Sequence, residues 1–127
     1  MILALFLMAA AADPRCSSVK TDDLIACAAA EHRRADVALN AAYQQALREL
    51  RSQDADTAGG RAANGGLSYS QSLIASERAW IAYRDAQCRV ENYGSWDGRE
   101  LPIYQLGCLT ASTEARTKEL KELVAPR

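Results

Sequence analysis

Residues 22–50 read DDLIACAAAEHRRADVALNAAYQQALREL, and this stretch decides the fold class. Its apolar residues recur at helical spacing, with one position skipped, and form a single stripe: Leu24, Ala28, Ala35, Leu39, Tyr43, Leu47 and Leu50. Most of the other positions hold Ala, Arg, Gln or Glu, which all favour helix. The pattern predicts one long amphipathic helix from about Asp22 to Leu50, with Thr21 as its N-cap.

Two later stretches predict a second and a third helix. The second runs from Tyr69 or Ser70 to Cys88 or Glu91, and its inner stripe comprises Leu73, Glu77, Trp80, Ile81, Arg84 and Cys88. The third runs from about Gln105 to Val124 before Pro126, and its inward residues are Leu106, Leu109, Thr113, Leu120 and Leu123. No segment of useful length alternates apolar and polar residues with the period of two that a half-buried strand would show. We therefore predict an all-α fold, a small three-helix antiparallel bundle stapled by two disulfides.

Two polar segments connect these helices. Residues 52–68 contain Gly59-Gly60 and Asn64-Gly65-Gly66, which predict a flexible surface connection longer than a helix hairpin needs. Residues 92–102 are rich in turn residues and include Asp97-Gly98, a strong turn signal.

Folding the first two helices back on each other near Gly60 gives a testable register. Positions whose numbers sum to about 120 then lie side by side, which pairs Leu47 with Leu73, Tyr43 with Glu77, Asn40 with Trp80 and Asp36 with Arg84. Apolar residues face apolar residues and an acid faces a base, although the loop also allows a register one turn away. We predict that Asp36 and Arg84 form an ion pair that is partly shielded from water.

The chain begins with an apolar run without charged side chains, residues 1–12, which ends in alanines before Asp13-Pro14. This pattern is typical of a secretory signal peptide cleaved after Ala11 or Ala12, although no Lys or Arg lies near its start. The run is too short for a membrane span, which needs about 20 apolar residues. A buried N-terminal core segment is the alternative interpretation.

Lipid attachment is not expected, because Asp13, Pro14 and Arg15 precede Cys16 where small apolar residues would be required. We therefore predict a signal peptide over residues 1–12, one helical domain over residues 13–127, and a periplasmic or secreted location. No membrane span is expected after signal cleavage.

The four cysteines predict two disulfides, since an even count in a small exported chain is typical of disulfide-stapled domains. No two of them have the close spacing of a zinc site or of a redox pair. Cys88 ends the second predicted helix and Cys108 begins the third, so we predict a Cys88–Cys108 bridge, which leaves Cys16 for Cys27. A Cys27–Cys88 bridge is the main alternative.

Composition and motifs disfavour several classes of function. The formal net charge of −1 does not support nucleic-acid binding, which depends on phosphate neutralisation. The single histidine, His32, lies in a charged run typical of a solvated helix face. Asp36, Glu77 and Arg84 are interpreted as a packing cluster rather than as catalytic groups. We predict no enzymatic activity, no catalytic residues, no cofactor and no metal.

Two stretches carry a resemblance to a known family. They are DVALNAAY at 36–43 and ERAWIAYRDAQC at 77–88, with Cys27 before them and Cys108-Leu109, Thr113 and Arg116 after them. This ordered combination resembles the N-terminal domain of the lysozyme inhibitor LprI, and its motif residues here are Asp36, Leu39, Asn40, Tyr43, Trp80 and Arg84. At position 77 many members carry glutamine instead of glutamate.

The resemblance implies a secreted or periplasmic helical domain with intramolecular disulfides. The family name implies inhibition of lysozyme, a muramidase. The motif residues look like positions of the bundle core, so sharing them carries the fold over more directly than the activity.

The connection between the second and third helices is the predicted partner-binding segment. It contains Tyr93, Trp96 and Arg99, residue types enriched at binding hot spots, and a Cys88–Cys108 bridge would reduce its ordering cost. Arg99 would reach the paired carboxylates of a glycosidase cleft while Trp96 stacks in its sugar groove. The alternative is that Trp96 caps the bundle core.

The predicted function is therefore non-enzymatic binding of a lysozyme or another envelope protein. The alternative is an envelope structural or stress-related module with a different partner. The oligomeric state is left open.

Overall fold

The computed structural model describes residues 12–57, 65–95 and 98–126. Within these ranges three helices follow one another, α1 (Thr21–Ala55), α2 (Tyr69–Glu91) and α3 (Leu101–Leu123), and no strand occurs. Short 3-10 helices precede α1 (Pro14–Ser17) and follow α2 (Tyr93–Ser95). The predicted all-α three-helix bundle is confirmed. The predicted signal segment lies outside the described residues except for Ala12.

Helix α1 is longer than predicted at both ends, and the N-cap prediction was wrong. Thr21 is the first helical residue, while Lys20 stands at the N-cap without a side-chain hydrogen bond. The Ser18 hydroxyl instead accepts from the Lys20 N–H at 3.1 Å and donates to the Asp23 carboxylate at 2.7 Å. Asp22 and Asp23 in the first turn complement the helix dipole, so a capping side chain at position 21 is not required.

The end of α1 is fastened to the start of α2 by Asp54. Its carboxylate accepts from the Tyr69 N–H at 2.8 Å, from the Ser70 N–H at 3.1 Å and from the Ser70 hydroxyl at 2.5 Å. A reciprocal capping box between Ser68 and Gln71 completes this terminus. The predicted connection over residues 52–68 is therefore partly ordered at both ends, and residues 58–64 lie outside the described ranges.

The core forms mainly along the seam between α1 and α3. Two α1 alanines, Ala42 and Ala46, are buried there, and small residues at a helix contact allow close approach. The buried cluster comprises Leu39, Ala42, Ala46, Leu47, Leu50, Leu73 and Leu120. Helix α2 contributes little apolar surface, since its buried residues in the described structure are Leu73, Glu77 and Cys88.

Two predicted core residues are exposed. Ile81 is 42% exposed, because α2 packs through the stripe of Leu73, Glu77 and Cys88 and leaves Ile81 to one side. Leu123, the last residue of α3, is 54% exposed, and the following residue, Val124, packs against the core in its place.

Helix α3 begins at Leu101, earlier than the predicted Gln105. Pro102 lies in its first turn, where a residue without an N–H is tolerated because no intrahelical acceptor is available. Among the described residues no helix is long and apolar enough to cross a bilayer.

Both predicted disulfides are present. Cys16 is bonded to Cys27 with Cα atoms 5.2 Å apart, and Cys88 is bonded to Cys108 with Cα atoms 5.6 Å apart. The alternative Cys27–Cys88 pairing is thereby excluded.

Candidate functional site

The connection between α2 and α3 is closed at its base by a covalent and a polar link. The Cys88–Cys108 disulfide joins the end of α2 to the start of α3. Beside it, the Asn92 amide donates to the Cys88 carbonyl at 2.8 Å and to the Gln105 side-chain oxygen at 3.1 Å. These links hold the two helix ends together and fix the point from which the connection leaves the bundle.

Within this connection the backbone makes consecutive turns. The N–H groups of Ser95, Gly98 and Leu101 donate to the carbonyls three residues earlier, at 3.0, 2.9 and 3.2 Å. A Cβ atom added at Gly98 would lie 3.2 Å from the Ser95 carbonyl oxygen, which is tighter than ordinary contact. Gly98, the described residue of the predicted turn signal, thus lies in a compact turn.

The structure places two of the three predicted partner-binding residues on the surface. Tyr93 is 77% exposed and Arg99 is exposed, whereas Trp96 lies outside the described residues. Val90, one turn before Tyr93, and Tyr104, in the first turns of α3, are also exposed. The exposed side chains of Val90, Tyr93, Arg99 and Tyr104 form a surface at this end of the bundle, which we call the α2–α3 loop surface.

The family-motif residues form a different surface. Five of them line a groove of about 410 Å³ between α1 and α2, together with four residues that the motif did not include. The full lining is Asp36, Leu39, Asn40, Tyr43, Ile74, Glu77, Arg78, Ile81 and Arg84. We call this the α1–α2 groove. The interpretation of the motif as core positions holds for Leu39, which is buried, but Asn40 is exposed.

The predicted ion pair between Asp36 and Arg84 is present, but the distance between its charged atoms is at the upper limit for an ion pair. An Arg84 guanidinium nitrogen lies 4.0 Å from the Asp36 carboxylate, which confirms the register of α1 on α2. Arg84 is shielded, with 14% of its side chain exposed, but Asp36 is 46% exposed. Arg84 makes shorter contacts with Asp85 at 2.9 Å and the Thr113 hydroxyl at 3.3 Å, and it covers the Trp80 ring.

Glu77 does not join the predicted cluster with Asp36 and Arg84. Its carboxylate accepts from the Arg116 guanidinium of α3 at 3.0 Å, and Arg116 also contacts Glu119 and the Ser76 hydroxyl at 3.0 Å each. Arg116 was not predicted from the sequence as the partner of Glu77. The sequence did contain a signal for it, because Arg116 lies about one turn after Thr113, which was predicted to face inward.

Two groups of potential metal ligands occur in the described structure. Cys16, Cys27 and Glu31 form one, and Cys88, Glu91 and Cys108 form the other. In both groups the sulfurs are bonded to each other, so they offer no thiolate, the form in which cysteine binds zinc.

Comparisons with known proteins agree with the family resemblance of the motif. The family described as lysozyme inhibitor LprI matches residues 13–120, which include both disulfides and nearly all of the three helices. An uncharacterized protein from Rhizobium meliloti (strain 1021) is 35% identical over 113 residues, covering 88% of this chain and 80% of that protein. No solved structure matches the chain. The chain therefore belongs to the lysozyme inhibitor LprI family.

Proposed function

We propose that this protein is exported and inhibits a lysozyme by binding it, without catalysing a reaction itself. Family membership over residues 13–120 supports the inhibitory role. The two disulfides support export, because disulfides persist in oxidising compartments such as the periplasm. The apolar segment over residues 1–12 would serve as the signal peptide.

One structural observation carries the choice of binding surface. The α2–α3 loop surface presents an exposed tyrosine, Tyr93, from a segment whose base is fixed by the Cys88–Cys108 bridge and by Asn92. A segment that is ordered before binding loses less conformational entropy on association. Tyrosine and arginine are also the residue types that contribute most at interface hot spots.

One charged side chain of this surface, Arg99, fits the target. A glycosidase cleft contains a pair of carboxyl groups that perform the reaction. Arg99 is exposed on the same connection, and a guanidinium binds carboxylates through two parallel hydrogen bonds. Occupation of that cleft by Arg99 would block substrate, which is the mode of inhibition that we propose.

The test is an inhibition assay of the disulfide-intact protein against a panel of lysozymes acting on a cell-wall suspension. The parent should slow lysis, and the Tyr93→Ala/Arg99→Ala variant should need at least about tenfold more protein for the same inhibition. The matched control is Tyr83→Ala/Arg48→Ala, which removes an exposed tyrosine and arginine elsewhere and should inhibit as the parent does.

Inhibition by the loop variant equal to that of the parent would place the binding surface elsewhere. No inhibition of any lysozyme by the parent would contradict the proposal and favour an envelope module with another partner. Both variants should first be shown to unfold at the same temperature as the parent.

Export is tested separately by N-terminal sequencing of protein recovered from the envelope. We expect the mature chain to begin at Ala12 or Asp13. Recovery of chains that still begin with Met1 would contradict signal cleavage.

A further inference from the structure

The α1–α2 groove is lined by two acidic and two basic residues, and one of each already has a close partner. Of its two acidic residues, Glu77 is neutralised by Arg116 from behind the groove. Of its two basic residues, Arg84 is held by Asp85 at 2.9 Å. Arg78 is exposed on the groove wall and has no hydrogen bond or ion pair within the described residues. A cation at Arg78 is therefore available to a ligand.

The other end of the groove offers an available anion. The Asp36 carboxylate is 46% exposed, and the nearest basic nitrogens, on His32 and Arg84, are 3.5 and 4.0 Å away. Both distances are longer than those of a charge-assisted hydrogen bond, about 2.8 Å. Asp36 therefore retains capacity for a cationic group.

The spacing of these two charges sets the length of the ligand. The groove side of α1 runs from Asp36 through Asn40 to Tyr43. At 1.5 Å per residue this is about 10 Å, and Arg78 lies opposite the Tyr43 end in the confirmed register. An extended peptide advances about 3.3 Å per residue, so about three residues span the distance.

The groove surface between the charges suits a peptide backbone and small apolar side chains. Asn40 is exposed, and its amide supplies both a donor and an acceptor, which matches a peptide group. Ile74 and Ile81 line the α2 wall and Leu39 lines the α1 wall. The volume of about 410 Å³ is within the range of small-ligand sites.

We propose that the α1–α2 groove binds a short peptide of about three residues with both termini free. Arg78 binds the terminal carboxylate, Asp36 binds the terminal ammonium, and Asn40 pairs with a central peptide group. This site shares no lining residue with the α2–α3 loop surface.

The probe is tri-L-alanine, titrated into ¹⁵N-labelled protein and followed by amide chemical shifts. We expect saturable shifts confined to the groove, along residues 36–43 and 74–84. Arg78→Gln should weaken binding about tenfold, equivalent to about 1.4 kcal/mol, and Asp36→Asn should weaken it comparably. The matched control, Arg48→Gln, removes an exposed arginine outside the groove and should bind as the parent does.

Two blocked peptides assign each charge to its terminus. Tri-alanine amide should bind the parent and Arg78→Gln equally weakly, because the carboxylate is already absent. N-acetyl-tri-alanine should likewise bind the parent and Asp36→Asn equally weakly. The Tyr93→Ala/Arg99→Ala variant should bind tri-alanine normally, which separates this site from the lysozyme surface.

Three results would overturn the proposal. One is the absence of saturable shifts up to about 10 mM peptide, a concentration that would detect even millimolar affinity. Another is a set of shifts outside the groove. The third is equal affinity for the free and blocked peptides. Arg78 and Arg48 are both exposed, so neither substitution is expected to prevent folding.

Discussion

The Arg116 guanidinium of α3 donates a hydrogen bond of 3.0 Å to the Glu77 carboxylate of α2, across 39 positions of sequence. Only 12% and 10% of the two side chains are exposed. Helix α2 buries few apolar residues, so this ion pair is a principal link between α2 and α3. Removing one partner of a shielded ion pair destabilises a protein, because the remaining charge is left buried and uncompensated.

Glu77→Ala should therefore destabilise the protein by about 3 kcal/mol, the lower end of the range for a broken buried pair. The lower end applies because Glu119 still contacts Arg116 at 3.0 Å. Glu77→Gln keeps an acceptor for Arg116 and should lose less than half as much. Urea unfolding monitored by circular dichroism gives both values, and equal losses in the two variants would contradict the assignment.

Arg84→Ala should cost more stability than Asp36→Asn, although the two residues form one ion pair. Arg84 also covers Trp80 and donates to Thr113, so its loss should cost about 2 kcal/mol. Asp36 is half-exposed and 4.0 Å from its partner, so its loss should cost below about 1 kcal/mol. A double-mutant cycle should give a coupling energy near zero, and a large coupling would show a tighter pair in solution.

Loss of the Cys88–Cys108 bridge should destabilise the protein more than loss of the Cys16–Cys27 bridge. The two bridges close loops of 20 and 11 residues, each stabilising by about 3 kcal/mol in the chain-entropy model. Each bridge has one buried cysteine, Cys88 or Cys27, but the partner of Cys88 is half-buried whereas Cys16 is exposed, so replacing the Cys88–Cys108 pair by alanine removes more packed side-chain volume. The paired Cys→Ala variants can be compared by urea unfolding, after non-reducing peptide mapping has verified both bridges in the parent.

The stability of the α1–α2 junction should depend on pH through the ionisation of Asp54. The Ser70 hydroxyl, together with the Ser70 and Tyr69 N–H groups, lowers the pKa of Asp54 below its usual value. A lowered folded-state pKa stabilises the protein above the unfolded pKa of about 3.9, and this contribution is lost as the pH falls through the folded value.

The melting temperatures of the parent and of Asp54→Ala should therefore differ most near neutral pH and converge as the pH falls below the lowered pKa of Asp54. Asp56→Ala is the matched control, because Asp56 is exposed and its side chain makes no hydrogen bond in the described structure. A difference that stays constant with pH would show that Asp54 does not act through its charge.

Local patterns were enough to predict the three helices, since each depends on residue spacing along one segment. The hairpin register was also predictable, because Asp36 and Arg84 lie on helices joined by a single connection. The bounds of α2 agree with the prediction, whereas both ends of α1 and the start of α3 differ from it. The start of α1 lies beside the contacts of Ser18 with Lys20 and Asp23, which helical periodicity does not report.

The sequence by itself determined the fold class, because helical periodicity is a property of each segment alone. It left a Cys27–Cys88 bridge and a register one turn away as alternatives, and the structure excluded them. The tertiary structure alone decided that Arg116 pairs with Glu77, that the motif residues line a groove, and that Arg78 is available at its wall. These relationships depend on the rotation of α2 about its axis against α1 and α3. A small rotation of α2 about its own axis would change these contacts without changing the periodic pattern of its sequence. The rotation is therefore set by how the side chains of the three helices pack together.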